Sequence, residues 1–311
     1  MKMYFIAVLF LGILTATTQS CKKGDDGAPG TNGTNGTNGT NGTNGTDGYG
    51  AVTAADQAAY DAADGTIGAR LYDHPLNEIN YLPTAVMSDK SHSNFFRCKS
   101  CHGWDLRGRN GVLINKGPST TYPMAADVDL YSWARKHSIR EVFDAVKNEG
   151  GREKSTNQSY TSNMPYWGEI LTDSQIWQLV KFLKETSHNT DDFYDLTTSG
   201  AYPNGTKTFS NIGKGGNAAN GLTVYNAKCK SCHGADGKSI DIYCENLFMG
   251  KMFRTNAHEV QHKAVWGMPI DREHVVDGCL SGDYAMPQQT LTDQEIRDMM
   301  VAGQDTIQFP N

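Results

Sequence analysis

The sequence predicts an all-α fold, with two similar helical domains joined by a linker and preceded by a flexible tether. The first observation is a repeated pentapeptide, CKSCH, at 98–102 and again at 229–233. The second is that each copy is followed by a capped amphipathic helix, a Met-Pro pair and another capped helix. The third is that no sustained alternation of apolar and polar residues indicates a sheet. We therefore expect one helical unit that is duplicated within the chain.

The first 21 residues have the layout of an export signal. Lys2 precedes an apolar run from Met3 to Leu14, which is too short to span a bilayer. The alternative is a buried helix of the mature fold. A small residue followed by Cys21 resembles the end of a bacterial lipoprotein signal, although Thr18 stands where that pattern has an aliphatic residue. The resemblance implies lipidation of Cys21 and an exported protein, periplasmic or at the cell surface, that is anchored to a membrane.

Residues 22–50 predict a tether without fixed structure. A glycine recurs at every third position from Gly24 to Gly48, mostly in the triplet GTN. Collagen has this period, but it also needs abundant proline at the other positions, and this stretch holds only Pro29. We therefore expect a flexible polar coil with an end-to-end distance on the order of 30 Å.

The rest of the chain divides into two domains and a linker. We expect a first domain over 51–192, with an N-terminal extension and an insertion, and a second domain over 217–311. Between them, residues 193–216 are rich in Gly, Asn, Ser and Thr and predict a linker. The formal net charge of −6 argues against a nucleic-acid partner, because nucleic-acid binding requires a basic surface.

Matching helix signals occur in both domains. Thr172 and Thr292 each stand three residues before Gln or Glu, which is the spacing of a capping box. Ser138 has the same spacing before an earlier helix, and Asn256 takes the corresponding place in the second domain. From Ile176 onward, apolar residues recur at helical spacing and predict one buried face.

The C-x-x-C-H pattern is typical of c-type haem attachment. Two thiols one helical turn apart can form thioethers with the vinyl groups, and the adjacent histidine can bind the iron. A redox dithiol would need a βαβ context, and a zinc site made from both pairs would not require a histidine after each. We therefore expect two covalent haem c groups as cofactors. The predicted attachment residues are Cys98, Cys101, His102, Cys229, Cys232 and His233.

Each half of the chain resembles a class I cytochrome c. In the second half, GLTVYNAKCKSCHGADGK places Gly221, Tyr225 and Cys229 at the family's spacing of glycine, aromatic residue and first cysteine. In the family, that glycine lets the first and last helices cross closely. The first half matches from CKSCHGWD onward, but Lys90 stands where the glycine would be, so an insertion is expected there.

The resemblance covers about residues 90–185 and 217–302. It leaves out the segment 51–89, where the composition predicts only an Ala-rich helix. The family also has a methionine before its last helix that binds the iron, and the match to this position is present in both halves.

The resemblance therefore implies a methionine as the second axial ligand in each domain. Met164 and Met286 stand before the last helices, whereas Met124 and Met268 are their rivals. Aligning the two domains on their middle helices places Met268 at a helix end, which favours Met286. Free histidines elsewhere in the chain stay open as alternative ligands. The predicted iron ligands are His102, Met164, His233 and Met286.

Two cysteines remain after the haem motifs are assigned. In an exported protein, Cys244 and Cys279 favour a disulfide, and the alternative is two buried thiols. Four further side chains near the first motif are candidates for contact with the cofactor, the tryptophans by packing and the arginines by pairing with propionates: Trp104, Trp167, Arg107 and Arg109.

Two His/Met-ligated irons would leave no open coordination site, which predicts electron transfer rather than catalysis. We expect a chain that relays electrons between exported redox partner proteins and that has no catalytic residues. One alternative is a dihaem peroxidase, which would need an open distal face and an acid–base residue above it. Another is a cytochrome subunit of a larger oxidoreductase, and the sequence leaves both alternatives open.

Overall fold

The structure, a computed structural model, describes residues 50–80, 94–119, 122–151, 164–242, 245–269 and 285–311. The predicted export signal, the lipidation of Cys21 and nearly all of the tether lie outside these residues. The predicted disulfide between Cys244 and Cys279 lies outside them as well. In the part that is described, no helix is long and apolar enough to cross a membrane.

Twelve α-helices and one two-stranded sheet make up the described part of the chain, which confirms the predicted helical fold of both domains. In chain order the helices are α1 (Ala54–Asp61), α2 (Gly65–Asp73), α3 (Pro75–Glu78), α4 (Cys98–His102), α5 (Leu130–Lys136), α6 (Ile139–Lys147), α7 (Asp173–Lys181), α8 (Ala218–Lys228), α9 (Lys230–His233), α10 (Met249–Thr255), α11 (Ala257–Trp266) and α12 (Asp293–Ala302). The strands are β1 (Asp195–Ser199) and β2 (Thr206–Ser210).

The predicted capping boxes form at three helix starts. The hydroxyls of Ser138, Thr172 and Thr292 each accept a hydrogen bond from the backbone N–H three residues on, and the side chain there accepts one from the capping residue's N–H. Asn256 precedes α11 as expected, but its side chain makes no capping hydrogen bond. Each such box satisfies two backbone donors that the helix leaves without partners.

The last helix of each domain crosses an earlier helix at a glycine. A Cβ on Gly221 in α8 would lie 1.9 Å from the Asp298 carbonyl oxygen in α12. A Cβ on Gly68 in α2 would lie 2.0 Å from the Gln178 carbonyl oxygen in α7. Both crossings therefore need a residue without a side chain.

The helix α2 is thus the first-domain counterpart of α8, which corrects the prediction that 51–89 lies outside the cytochrome-like unit. Both helices read glycine, three residues, tyrosine. The Tyr72 hydroxyl donates to the Gly103 carbonyl at 2.6 Å, and the Tyr225 hydroxyl donates to the Gly234 carbonyl at 2.9 Å. Each acceptor glycine directly follows the histidine of its CKSCH motif.

The predicted linker forms a β-hairpin that packs against both domains. Strand β1 pairs antiparallel with β2, and Leu196 lies opposite Phe209. Both of these side chains pack against the second-domain core and against a small cluster that contains Val112 and Leu113 of the first domain. The alternation of threonine with larger residues in DLTTS and TKTFS suits a strand pair, but the sequence alone does not show what the hairpin covers.

The helix α11 belongs to the cores of both domains. Ala257, Val260 and Ala264 pack in the second-domain core, whereas Trp266 packs in the first-domain core. Its polar side chains are buried too, and His262 is 1% exposed. The two domains therefore share this helix instead of touching through a loose linker.

Candidate cofactor sites

Each domain contains one apolar cavity. The first has a volume of about 490 Å³ and the second about 460 Å³, which lies in the range of cofactor sites. In both, two cysteines and the following histidine form part of the wall. Each cavity also contains two methionines. The first cavity holds Cys98, Cys101, His102, Met124 and Met164, and the second holds Cys229, Cys232, His233, Met268 and Met286.

Both CKSCH motifs form a short helical turn that ends at a glycine. The backbone of Gly103 has φ +76°, and that of Gly234 has φ +81°, a region that favours glycine. In each turn the histidine N–H lies one turn after the first cysteine, and His233 N–H donates to the Cys229 carbonyl at 3.0 Å. The turn thus presents two thiols and one imidazole to the same cavity.

The two motif histidines have the properties of neutral metal ligands. The Nδ1 atoms of His102 and His233 are buried and have no hydrogen-bond partner among the described residues. Burial lowers the pKa of His102 to about 4 and lowers that of His233 in the same direction. An imidazole that stays neutral at physiological pH keeps a lone pair for a metal.

The motif cysteines do not have the properties of a reactive dithiol. Burial raises the pKa of Cys98 to about 12 and that of Cys229 to about 11. Reactive redox cysteines have a lowered pKa, because the thiolate is the reacting form. The four thiols also line two different cavities, so they do not form one zinc site. In the described ranges, no three His, Cys, Asp or Glu side chains form a metal cluster.

In the second cavity, the two methionines lie on adjacent backbone segments. Met268 and Met286 pair as an antiparallel bridge, with N–H to carbonyl distances of 2.8 and 3.1 Å. The Met268 sulfur lies 3.3 Å from the Lys263 Nζ, which donates to it. Proximity to the cavity therefore does not separate the two candidates, but their surroundings do differ.

In the first cavity, Met164 is fixed through its backbone. The Asn148 side-chain amide donates to the Met164 carbonyl at 2.8 Å and to the Pro165 carbonyl at 3.1 Å. Asn148 adopts the left-handed conformation that ends α6. The end of α6 thus holds the Met-Pro pair at the cavity wall, where Met124 also lies.

The aromatic and basic residues near the first motif have divided roles. Trp167 lines the first cavity as expected, and so does Arg109, which forms an ion pair with Asp127. Trp104 borders neither cavity and packs on His262 of α11, so its predicted contact with the cofactor is wrong. Arg107 also faces away from the cavity and forms an ion pair with an aspartate, Asp191.

The free histidines that the structure describes do not line either cavity. His258 and His262 are buried in α11, His137 stacks on Trp133, and His188 contacts Gln261. The remaining candidates, His92 and His274, lie outside the described residues.

The two CKSCH turns differ in exposure, although their sequences are identical. In the first turn Ser100 is 0% exposed, because the turn faces the rest of the protein. In the second turn Lys230, Ser231 and Cys232 are exposed. This difference comes from tertiary packing and has no signal in the pentapeptide itself.

The residues of both cavities fit a covalently bound haem c. An apolar cavity with two thiols and a neutral imidazole on one wall, and a thioether on the wall as well, supplies the attachment and ligand atoms that this group uses. Tyr72, Gly68 and α2 were missed from sequence as parts of the first site. The signal was present as glycine followed by tyrosine four positions later, but 26 positions separate Tyr72 from Cys98, whereas four separate Tyr225 from Cys229.

Comparison with protein families gives one match for each domain. A family model described as cytochrome c matches residues 90–187. A second, described as cytochrome c oxidase, cbb3-type, subunit III, matches residues 216–301. No solved structure matches the chain. The two matched ranges begin before the two CKSCH motifs and end within or just after the last helix of each domain.

Proposed function

Because the chain carries two cytochrome c domains, and hence two covalently bound haem c groups for electron transfer, we propose that it is a dihaem carrier that relays electrons between exported redox proteins. The observation that carries the proposal is that two separate cavities, each with one CKSCH motif and a methionine, lie in one folded unit. Bound haem c supplies a one-electron couple between ferrous and ferric iron.

We assign the covalent attachment to the four motif cysteines. Cys98 and Cys101 would form the thioethers of the first haem, and Cys229 and Cys232 those of the second. Their half-buried to exposed position at the cavity edge supports this, because an attaching enzyme must reach the thiols before the cavity is filled. His102 and His233 would bind the iron as neutral imidazoles.

The second axial ligands in this proposal are Met164 and Met286. In the second cavity, Lys263 donates a hydrogen bond to the sulfur of Met268, which makes that lone pair less available to a metal. In the first cavity, Asn148 holds the backbone of Met164 at the wall. Methionine ligation stabilises the ferrous state and raises the reduction potential.

A peroxidase is disfavoured by the side chains around the cavities. Such an enzyme would need an acid–base group free to act above an open iron face. The first cavity is lined by apolar residues and by Arg97, Arg109 and Asp127, and the latter two form an ion pair. In the second cavity the Glu259 carboxylate is engaged by Lys263 at 2.9 Å.

A second candidate function is that of a cytochrome subunit in a larger oxidoreductase. The family matched by the second domain is described as a subunit of a cbb3-type cytochrome c oxidase, which supports this reading. Cytochrome c domains are typical of exported proteins, and the lipid anchor expected at Cys21 would hold the chain at a membrane. The partners would approach the second CKSCH turn, because that turn is exposed.

The proposal is tested by electron paramagnetic resonance of the oxidised holoprotein, together with its visible spectrum. Two low-spin haems with His/Met ligation are expected. A high-spin or bis-histidine haem, or turnover of peroxide after partial reduction, would reject the simple carrier.

A further inference from the structure

The helix α11 separates the two cavities and contacts the walls of the second one directly. Val260, Lys263 and Ala264 line the second cavity together with Glu259. These side chains belong to one face of the helix, and Lys263 is only 8% exposed. The second cavity therefore ends at α11.

The other face of α11 contacts the first domain beside its own CKSCH turn. The Gln261 amide donates to the Trp104 carbonyl at 3.3 Å. The His262 Nε2 lies 3.0 Å from the Ala69 carbonyl oxygen in α2. The ring of His262 lies 4.7 Å from that of Trp104, between centroids. We call Trp104, Gln261, His262 and Lys263 the domain junction.

Trp104 links the first CKSCH turn to the second cavity within this junction. It stands two positions after His102, so its backbone is continuous with the first attachment turn. The Nζ of Lys99, on that turn, lies 5.3 Å from the Trp104 ring centroid. The Nζ of Lys263, on the wall of the second cavity, lies 5.6 Å from the same centroid. One indole ring therefore contacts a side chain from each side.

Tyr72 provides a second link between the cavities. It lines the first cavity, and its ring lies 6.1 Å from that of His262. The region between the cavities is thus filled by aromatic and imidazole rings, and Trp104 and His262 are 7% and 1% exposed. A close-packed, dry region of this kind keeps the separation between two sites fixed.

From this arrangement we infer that the domain junction carries electrons directly between the two haems, so that exchange between them is intramolecular. The inference rests on the proposed function. One electron leaves the ferrous iron of one domain, which is oxidised to ferric, and reduces the ferric iron of the other domain to ferrous. The step needs no proton, no bond change and no further reactant.

The difference in exposure gives the junction a role in the relay. The first CKSCH turn is covered, whereas the second is open to solvent. A partner protein that docks at the exposed turn exchanges an electron with the second haem, and the junction then connects the first haem to the same partner. Fixing two redox sites at short separation replaces a bimolecular encounter by a unimolecular step.

The direct test is proton nuclear magnetic resonance of partly reduced holoprotein. Haem methyl signals of the oxidation stages broaden or give exchange cross-peaks when electrons move between haems. The exchange rate per molecule within the half-reduced stage should stay unchanged when the sample is diluted tenfold, as a unimolecular step requires. A rate that falls in proportion to concentration would overturn the inference.

A matched pair of tryptophan variants tests the junction itself. Trp104→Phe should slow the exchange by about tenfold to a hundredfold, because a change in position of the order of 1 Å has effects of that size on a positioned reaction. Trp177→Phe makes the same change at a residue that is also nearly buried, at 6% exposure, but borders neither cavity. It should keep the wild-type rate, and equal rates in both variants would remove Trp104 from the path.

Two further readings keep the outcomes distinct. The reduction potentials, measured by mediated titration, should be unchanged in Trp104→Phe, since the ligands and cavity walls remain. If both haems titrate reversibly but no intramolecular exchange occurs, the inference fails and the proposed carrier function stands. If the haems do not titrate as two one-electron centres, the proposed function fails. The dilution experiment uses the wild-type protein, so it decides the inference even if a variant does not fold.

Discussion

At the residue scale, two methionines in the second cavity compete for one role. Met268 and Met286 lie on paired backbone segments, and only Met268 accepts a hydrogen bond from Lys263. A sulfur that already accepts from an ammonium group is the weaker candidate for a metal ligand. The surroundings of the two side chains, and not their distance from the cavity, therefore favour Met286.

Replacing each methionine in turn distinguishes them. Met286→Leu should convert one of the two haems from low spin and lower its reduction potential, because the thioether ligand is lost. Met268→Leu is the matched control, with the same change in side chain on the adjacent segment, and should leave the visible and paramagnetic resonance spectra unchanged. The reverse pattern would move the ligand to Met268.

Also at the residue scale, the buried His262 makes stability depend on pH. Burial lowers its pKa from 6.5 to about 4. The unfolded chain therefore binds the proton at higher pH than the folded chain does, and folding loses stability as pH falls from about 6.5 towards 4. Above that window the contribution is fully present.

The expected result is a melting temperature that decreases as pH is lowered through this window, with a smaller decrease in His262→Gln. Glutamine can still donate to the Ala69 carbonyl but does not titrate. The residues that face His262 include Asp73, Lys263 and His188, whose charges act on it. Parallel pH curves for the wild type and the variant would contradict the assignment of this slope to His262.

At the element scale, the two helix crossings explain why glycine stands at 68 and 221. Gly221→Ala would place a Cβ 1.9 Å from a carbonyl oxygen of α12, so the helices must move apart. We expect a loss of about 1–3 kcal/mol in the free energy of unfolding, as for other overpacked sites. This loss runs against the helix propensity of alanine, which exceeds that of glycine by about 1 kcal/mol.

The measurement is denaturant unfolding of the holoprotein followed by circular dichroism. Asn226→Ala, at an exposed position on the same helix, is the control and should be neutral or slightly stabilising. Gly68→Ala should behave like Gly221→Ala if α2 and α8 are equivalent. A neutral Gly68→Ala would show that the crossing of α2 and α7 tolerates a methyl group.

The elements that the sequence predicts well are those marked by local chemistry. Thr172, Thr292 and Ser138 carry their capping partners within three residues, and the CKSCH turns carry their own glycine stops. The elements that it misses depend on partners far away in the chain. The α2 crossing pairs Gly68 with Gln178, and the insertion before Cys98 hides the family spacing.

The same distinction applies to the two candidate sites. Cysteine and histidine positions follow from a pentapeptide, so they are predictable from sequence. The role of Trp104 is not, because α11 is supplied by a segment more than 150 positions later. The hairpin was likewise predicted as a linker, since its apolar residues, Leu196 and Phe209, gain a partner only when both domains are in place.

At the scale of the whole molecule, shared elements join the two domains into one unit. Trp266 of α11 packs in the first-domain core, and Phe209 of the hairpin stacks on His258 with an interplanar angle of 1°. Loss of either domain would expose these buried surfaces. We therefore expect the folded part of the holoprotein to unfold in one cooperative transition.

Differential scanning calorimetry checks this expectation, with absorbance of the two haems followed on the same samples. A single peak whose calorimetric and van't Hoff enthalpies agree is the expected result. Two resolved peaks, each accompanied by a change at one haem, would contradict a shared core and would describe two independent domains on a linker.

The central claim is that one chain holds two haems that exchange electrons without catalysing a further reaction. Spectroelectrochemical titration of the purified holoprotein measures this most directly, by counting electrons per chain against the haem absorbance. The account predicts reversible uptake of two electrons per chain, with both haems low spin in either state. Uptake of one electron per chain, or a haem that becomes high spin and turns over peroxide on partial reduction, would contradict it.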